Sequence, residues 1–423
     1  MSYSQFIYNY MLLNIYVISA NSIRMIFYSI CKLMNLLIKL IHLINFASMN
    51  LKFLFSFIYI FILINTGISQ NGINQEVKFP ASTVNKLDSV IAKIRAEQNL
   101  PGLVVGIWIP GEGDYTVALG SADLKTKLHR VINSQFRIAS ITKTFIATAI
   151  LKLVSEGRIS KVDKLSKWYP DFPDADAVTV EYLLQMRSGI YDSADEELLK
   201  LYYNDPMINI NADSMISRSA KKERLFTVPD VNTQYCNVNY IFLEQILQKV
   251  TGKNTNDYLS EVIFKPLGMS NTFYPYDSDL PGILHGYGWN HISKEFEDKT
   301  VLNPELPGGA GAIISNLIDL KTYAKVLYTG ELLTPVIQKE RLYTNRLKGL
   351  PHFVGYGEGI IRLGKFWGHN GTIMGFSSEM FYLPEKDAVI IINVNRLDEN
   401  DKSCSSELFA AITRMMFPDH VDW

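Results

Sequence analysis

Three short motifs in this chain carry residue types suited to acyl chemistry. Ser140-Ile141-Thr142-Lys143 sets a hydroxyl and an amine three residues apart, where an apolar helical run begins. On a helix, positions i and i+3 share one face, so Lys143 can reach the Ser140 hydroxyl. A serine at a helix start also lies near unpaired backbone N–H groups and the positive end of the dipole, which suits a nucleophile that must carry an oxyanion. Tyr235-Cys236-Asn237 stands in a loop before a second helical run. Trp367-Gly368-His369-Asn370-Gly371-Thr372 lies on or beside a late strand and holds the only His-x-Gly in the chain.

Each motif alone is weak. Ser29–Lys32 and Ser219–Lys222 repeat the Ser-x-x-Lys spacing, the second in a charged run that reads as a solvated helix face. Tyr202-Tyr203-Asn204 and Tyr343-Thr344-Asn345 repeat Tyr-x-Asn. Taken singly, Ser140 reads as a helix cap, Lys143 as a surface lysine, Tyr235 as a half-buried packing residue and His369 as a structural hydrogen-bonding group. Order and setting raise the catalytic reading above these.

The elements that must position the motifs follow from periodicity. Val84, Leu87, Val90, Ile91 and Ile94 recur at helical spacing and stop at Asn99-Leu100-Pro101-Gly102. Residues 103–109 read as a buried strand, and a Pro-Gly turn leads to a partner strand over 115–119. From about Gly157 to about Val301 strands are scarce and short amphipathic helices dominate: 180–186, the run from Tyr240 closed by Gly252, and 258–264. Leu306-Pro307-Gly308-Gly309-Ala310-Gly311 reads as a backbone turn into a helix that Asn316 caps and Asp319 supports; no Lys-Ser/Thr follows, as a phosphate loop requires. Residues 358–363, 365–368, 378–383 and 388–395 read as strands, and 405–417 as a terminal helix. Strands from both ends thus enclose a helical middle. The expected fold class is α/β of the α+β type: an antiparallel sheet flanked by helices with a mostly helical insert.

The three motifs in this order resemble the serine β-lactamase and penicillin-binding protein superfamily. The nearest likeness is to class C β-lactamases, D-alanyl-D-alanine carboxypeptidases and family VIII esterases. Pro101-Gly102-Leu103, the stretch 183–189 and the stretch 266–272 also match, so the resemblance runs from about Val84 to about Phe417. It implies a β-lactamase/transpeptidase-like fold. It implies Ser140 as the nucleophile that becomes acylated, with Lys143 and Tyr235 relaying its proton. Asn237 would hold Lys143 and a substrate amide, and His369 would complete the proton and substrate network. The backbone N–H groups of Ser140 and Thr372 would form the oxyanion hole, and Gly371 would let substrate lie close to the strand. No cofactor and no metal are implied. The expected partner is a small-molecule or peptide substrate, with cell-wall peptide among the candidates.

Departures from the family pattern bear on substrate. Class C β-lactamases carry Lys-Thr-Gly at the third motif, and this chain has no Lys-x-Gly. His369 at that place resembles D-alanyl carboxypeptidases and D-aminopeptidases, so a D-amino-acid peptidase or an esterase is expected ahead of a β-lactamase. A penicillin-binding or receptor-like protein with slow turnover is the non-enzyme alternative. An α/β-hydrolase would need Gly-x-Ser-x-Gly and a zinc hydrolase His-Glu-x-x-His; neither occurs.

The N-terminus is read separately. Met49-Asn50-Leu51-Lys52, the apolar run 53–64 and the small residues Gly67 and Ser69 have the parts of a secretory signal peptide, with cleavage expected after Ser69. An uncleaved anchor is the competing expectation. Residues 1–48 read as an extension upstream of the true start, 70–83 as a linker, 84–417 as the hydrolase domain with its helical insert over about 157–301, and 418–423 as a tail. The expected destination is periplasmic or extracellular. The whole chain carries a net charge of −1. The 69 N-terminal residues hold four basic and no acidic residues, so the remainder is mildly acidic, with no basic excess to bind nucleic acid. Cys236 and Cys404, the cysteines beyond that segment, show no metal-ligand spacing and make no disulfide framework.

Overall fold

Two hydrophobic stretches from opposite ends of the chain make the centre of the sheet. In the computed structural model, β1 (Gly102–Ile109) pairs antiparallel with the last strand, matching Leu103 to Val394 and Trp108 to Val389. The described residues are 78–423 except 227–231, 279, 281, 291, 292, 401 and 423. The expected N-terminal extension, signal peptide and cleavage point lie outside them. So does most of the expected linker, but residues 81–83 belong to the first helix, α1 (Ala81–Glu97), because its apolar face already needs Val84 and Leu87.

The remaining strands are β2 (Gly113–Asp123), β3 (Leu128–His129), β4 (Phe136–Arg137), β5 (Tyr287–Asn290), β6 (Glu295–Asp298), β7 (Ile314–Ser315), β8 (Asn345–Arg346), β9 (Val354–Tyr356), β10 (Ile361–Leu363), β11 (Phe366–Ile373), β12 (Phe376–Leu383) and β13 (Ala388–Val394). Nine form one antiparallel sheet in the order β3-β2-β1-β13-β12-β11-β10-β9-β8. β1, β12 and β13 are buried at every position, which explains the near-continuous apolar runs of β1 and β13 in place of alternation; β12 buries the polar Ser377, Ser378 and Glu379 as well.

The helices are α2 (Thr142–Ser155), α3 (Val180–Leu184), α4 (Glu196–Asn204), α5 (Ala212–Ala220), α6 (Val238–Thr251), α7 (Thr255–Leu259), α8 (Gly308–Gly311), α9 (Leu317–Thr329), α10 (Pro335–Arg341) and α11 (Ser405–Met416). α1 packs against α11, and α11 and α9 both pack against the central strands. α2 is buried almost all round, against α6 and α8 among others, as a helix with little polar surface must be. Asn316 caps α9 by accepting from the Asp319 N–H at 2.9 Å, as its spacing predicts.

The fold class agrees with the expectation, and several local details differ. The 180–186 helix stops at Leu184, because Met186 takes a left-handed φ of 60°. α4, α5 and α10 were not expected; each spans only two or three turns, too short to set a clear helical period. The insert carries a β5–β6 hairpin as well as helices. Residues 357–360 form a turn before β10, where a strand was expected from 358. The tail contains a short helical turn, Pro418–His420. Among the described residues, no helix is long and apolar enough to cross a membrane.

Candidate active site

The chain approaches Ser140 along a short, firmly held ribbon. β4 pairs with β7, and the Ile138 N–H donates to the Ile313 carbonyl at 3.0 Å. Ala139 then takes φ +50°, a left-handed conformation that costs a non-glycine residue roughly 1–2 kcal/mol. The turn reverses the chain sharply. Ser140 sits in a single 3-10 turn, Ala139–Ile141, one residue ahead of α2 and partly exposed. Thr142 secures the junction by accepting from the Ile313 N–H at 3.0 Å.

Lys143 lies in the first turn of α2 and is fully buried. Its Nζ stands 3.0 Å from Ser140 Oγ, 2.9 Å from Asn237 Oδ1 and 2.8 Å from the Ala310 carbonyl. Burial lowers its pKa from 10.5 to about 7, against an opposing pull from Asp192. A neutral amine has two N–H bonds and one lone pair. Asn237 Oδ1 and Ala310 O can only accept, so they occupy both N–H bonds. The lone pair is left facing the one partner that can donate, the Ser140 hydroxyl.

Asn237 is held in turn. Its main-chain N–H and its side-chain amide both donate to Asp192 Oδ2, at 3.0 and 2.9 Å. That contact decides which face of the amide meets Lys143. Ala310 belongs to α8, whose Gly309 N–H donates to the buried Glu244 carboxylate at 2.7 Å. Thr255 and Tyr274 also hydrogen-bond to Glu244.

Tyr235 is delivered by the loop ahead of α6. Its hydroxyl hydrogen-bonds with Ser140, and its ring lies 4.9 Å from Lys143 Nζ. Burial raises its pKa well above that of an ordinary phenol, so the hydroxyl keeps its proton at neutral pH. This makes Tyr235 a proton carrier and leaves Lys143 as the base.

His369 is buried at 1% exposure, behind Tyr235, with ring centroids 6.3 Å apart. It does not line the cleft. Nδ1 lies 2.5 Å from the Asn370 carbonyl, which fixes the tautomer with the proton on Nδ1. Nε2 faces the Tyr356 hydroxyl at 3.5 Å. Burial, with Lys143 nearby, lowers its pKa to about 3, so the imidazole is neutral.

β11 runs against the Ser140 turn. A Cβ on Gly371 would meet the Ile138 carbonyl at 2.3 Å and the Ser140 nitrogen at 3.0 Å, so only glycine allows this approach. The approach brings Thr372 beside Ser140, and both line a cleft of about 280 Å³. Their N–H groups are the two expected for an oxyanion hole.

The structure thus brings Ser140, Lys143, Tyr235, Asn237, Gly371 and Thr372 together, with His369 one layer behind. The competing motifs fall elsewhere. Ser219 is buried and donates to the Tyr191 carbonyl, and Tyr343 is 69% exposed. Ser29–Lys32 lies outside the described residues. Tyr202 and Tyr203 do join the site, as cleft wall. Sequence reasoning missed Asp192, Glu244, Tyr356 and the Ala310 carbonyl. Asp192 follows directly on the family-like stretch 183–189, which is a usable signal; a main-chain carbonyl leaves none. Cys236 and Cys404 are buried free thiols. Among the described residues, no three His, Cys, Asp or Glu side chains gather as a metal site.

The beta-lactamase family model matches residues 87–413, more than three-quarters of the chain. The chain belongs to the beta-lactamase family. Penicillin-binding protein 4* of Bacillus subtilis is 24% identical over 330 residues, covering 73% of this chain and 70% of that protein. Protein flp of Staphylococcus aureus is 25% identical over 324 residues, covering 73% of this chain and 62% of its own length. A D-stereospecific amidohydrolase from Streptomyces sp. superposes with a TM-score of 0.69 at 26% identity, over 80% of this chain and 98% of that one. The beta-lactamase family assignment and the antiparallel sheet with flanking helices therefore agree.

Proposed function

We propose that this protein is a serine hydrolase that cleaves an amide or ester bond through an acyl-enzyme on Ser140. One observation carries the reading: the Lys143 amine, whose pKa burial lowers to about 7, is held by two acceptors so that in its neutral form the lone pair faces Ser140 Oγ at 3.0 Å. Ser140 Oγ gives its proton to Lys143 Nζ and forms a bond to the substrate carbonyl carbon. The oxyanion rests on the N–H groups of Ser140 and Thr372. From the neutral form of Lys143, populated as pH rises through about 7, the Tyr235 hydroxyl passes its proton to the leaving nitrogen or oxygen and is reprotonated from Lys143. The C–N or C–O bond breaks, the amine or alcohol departs, and water reverses the sequence to free Ser140 as the acid forms.

A D-stereospecific amide or ester substrate is favoured over a β-lactam. Its support is the absence of a third-motif lysine and the likeness to the Streptomyces amidohydrolase. The protein acts after export, on the strength of the signal-peptide pattern ending at Ser69.

The test is a fluorescent fluorophosphonate on purified residues 70–423. Labelling that vanishes in Ser140→Ala is expected; no labelling of folded protein, or labelling that survives in Ser140→Ala, removes the nucleophile. A panel of p-nitrophenyl esters, D-amino-acid amides, D-Ala-D-Ala peptides and nitrocefin then ranks the substrates, with nitrocefin expected to be poorest. Mass spectrometry of exported protein should find Gln70 at the N-terminus.

A further inference from the structure

The cleft beside Ser140 has no formally charged side chain among its described lining residues. Leu199 and Tyr202 from α4, Met215 from α5, Leu306, Ile373 at the end of β11 and Met374 just beyond it make its walls. The Tyr202 hydroxyl is turned away and donates to the Asn303 carbonyl at 3.3 Å.

Three basic side chains lie close behind these walls, and none of them lines the opening. Lys143 is bound to Ser140, Asn237 and Ala310. The Lys299 ammonium is paired with Glu297 at 2.9 Å and lies 3.4 Å from the Tyr203 carbonyl. Arg137, fully buried behind Tyr202, donates from Nη2 to the Thr300 carbonyl at 3.3 Å, while its Nε and Nη1 stay buried beneath the wall with no hydrogen-bond partner among the described residues. The third motif supplies only the neutral, buried His369.

We propose that the cleft selects substrates whose groups flanking the scissile bond are apolar and uncharged, and rejects those carrying a carboxylate there. The assignment rests on the acyl-transfer reading of Ser140 and deepens it. A carboxylate seated against these walls loses its hydration and meets no cation in the wall itself. A branched aliphatic or aromatic group gains by the apolar surface it removes from water. Leu199 sits on the rim at 37% exposure, so it sets this preference and can be exchanged without opening the core.

The experiment compares p-nitrophenyl 4-methylpentanoate with p-nitrophenyl hemisuccinate. The two acyl groups have closely similar shapes and differ by a carboxylate in place of an isopropyl group. Wild type should favour the apolar ester by about 10²-fold or more in kcat/KM, the scale of an unpaired desolvated charge. Leu199→Arg should cut that ratio by about tenfold or more through a gain on the hemisuccinate. Fluorophosphonate labelling of Ser140 is measured on the same samples. Labelled protein that prefers the hemisuccinate, hydrolyses both equally or hydrolyses neither overturns the proposal and leaves the nucleophile standing; preference for the carboxylate would point to recruitment of Arg137. A ratio unmoved in Leu199→Arg overturns the role of this wall. Absence of labelling fails the acyl-enzyme reading itself.

Discussion

Asp192 Oδ2 accepts from both the main-chain N–H and the side-chain amide of Asn237, at 3.0 and 2.9 Å. Asn237 Oδ1 is therefore the atom that meets Lys143, at 2.9 Å. Asp192→Ala frees the amide to rotate and present an N–H to an amine that needs an acceptor. We expect kcat/KM to fall about 10²-fold, the cost of misplacing a catalytic group. Asp192→Asn should fall less, because its carbonyl can still accept. Equal activity in all three proteins would remove Asp192 from the positioning of Lys143.

The pH profile follows from Lys143. Its pKa of about 7 places the acid limb of kcat/KM there, since only the neutral amine can take the Ser140 proton. His369, at about 3, contributes no limb in the working range. Tyr235 is raised, so its ionisation lies beyond that of an ordinary phenol. Initial rates under kcat/KM conditions between pH 5 and pH 10 check this. An acid limb near the ordinary lysine value of 10.5 would contradict it.

Burying Lys143 also costs stability in a defined pH window. The unfolded chain keeps the proton up to 10.5, whereas the folded chain releases it near 7. The unfolded state therefore binds more protons between those values, and stability contributed at this site rises with pH across that window. The cost is complete below about 7 and gone above 10.5. Lys143→Met abolishes activity and removes this slope. In urea unfolding, the variant's stability relative to wild type should decline steadily from pH 7 to pH 10; a constant difference would show that the amine is not desolvated.

Glu244 holds the α8 turn that carries the Ala310 carbonyl. Gly309 fits there because a Cβ would meet the Tyr240 carbonyl at 2.5 Å and Glu244 Cβ at 2.7 Å. Glu244→Ala leaves the Gly309 N–H buried without an acceptor, at roughly 1–3 kcal/mol. It also lets Ala310 O drift from Lys143. We expect about tenfold or greater loss in kcat/KM per fluorophosphonate-labelled site, with substantial recovery in Glu244→Gln, whose carbonyl can accept from Gly309. Full activity in Glu244→Ala would separate α8 from the orientation of Lys143.

Gly371→Ala pushes β11 away from the Ser140 turn, because the new methyl meets main-chain atoms at 2.3 and 3.0 Å. Both N–H groups proposed for the oxyanion hole depend on that approach. Activity should drop about 10²-fold or more, the scale of losing one oxyanion donor. Circular dichroism and the thermal midpoint show whether the fold persists. Near-wild-type turnover would place the oxyanion elsewhere.

Much of the fold was legible because it rests on local pattern. The near-continuous apolar runs of β1 and β13, the period of α1 and α6, and the Asn316 cap are all written in neighbouring residues. α4 and α5 were not legible, because short helices of mixed polarity take their stability from packing that a window of sequence does not contain. Their loss hid the cleft wall, and with it the roles of Leu199, Tyr202 and Met215.

The sequence by itself determined the family, the order of the three motifs and the Ser140–Lys143 pair, since residues three apart on a helix meet whatever the rest of the chain does. Tertiary structure decided what those residues can do. The partners that aim the Lys143 lone pair come from 94 and 167 residues away, Asn237 and the Ala310 carbonyl. Only folding removes water from the amine and lowers its pKa. Only folding puts a histidine behind Tyr235, where a composition of motifs had placed it in the network with substrate. Desolvation and main-chain contacts carry no local sequence signature, so these features become visible only when distant segments close around them.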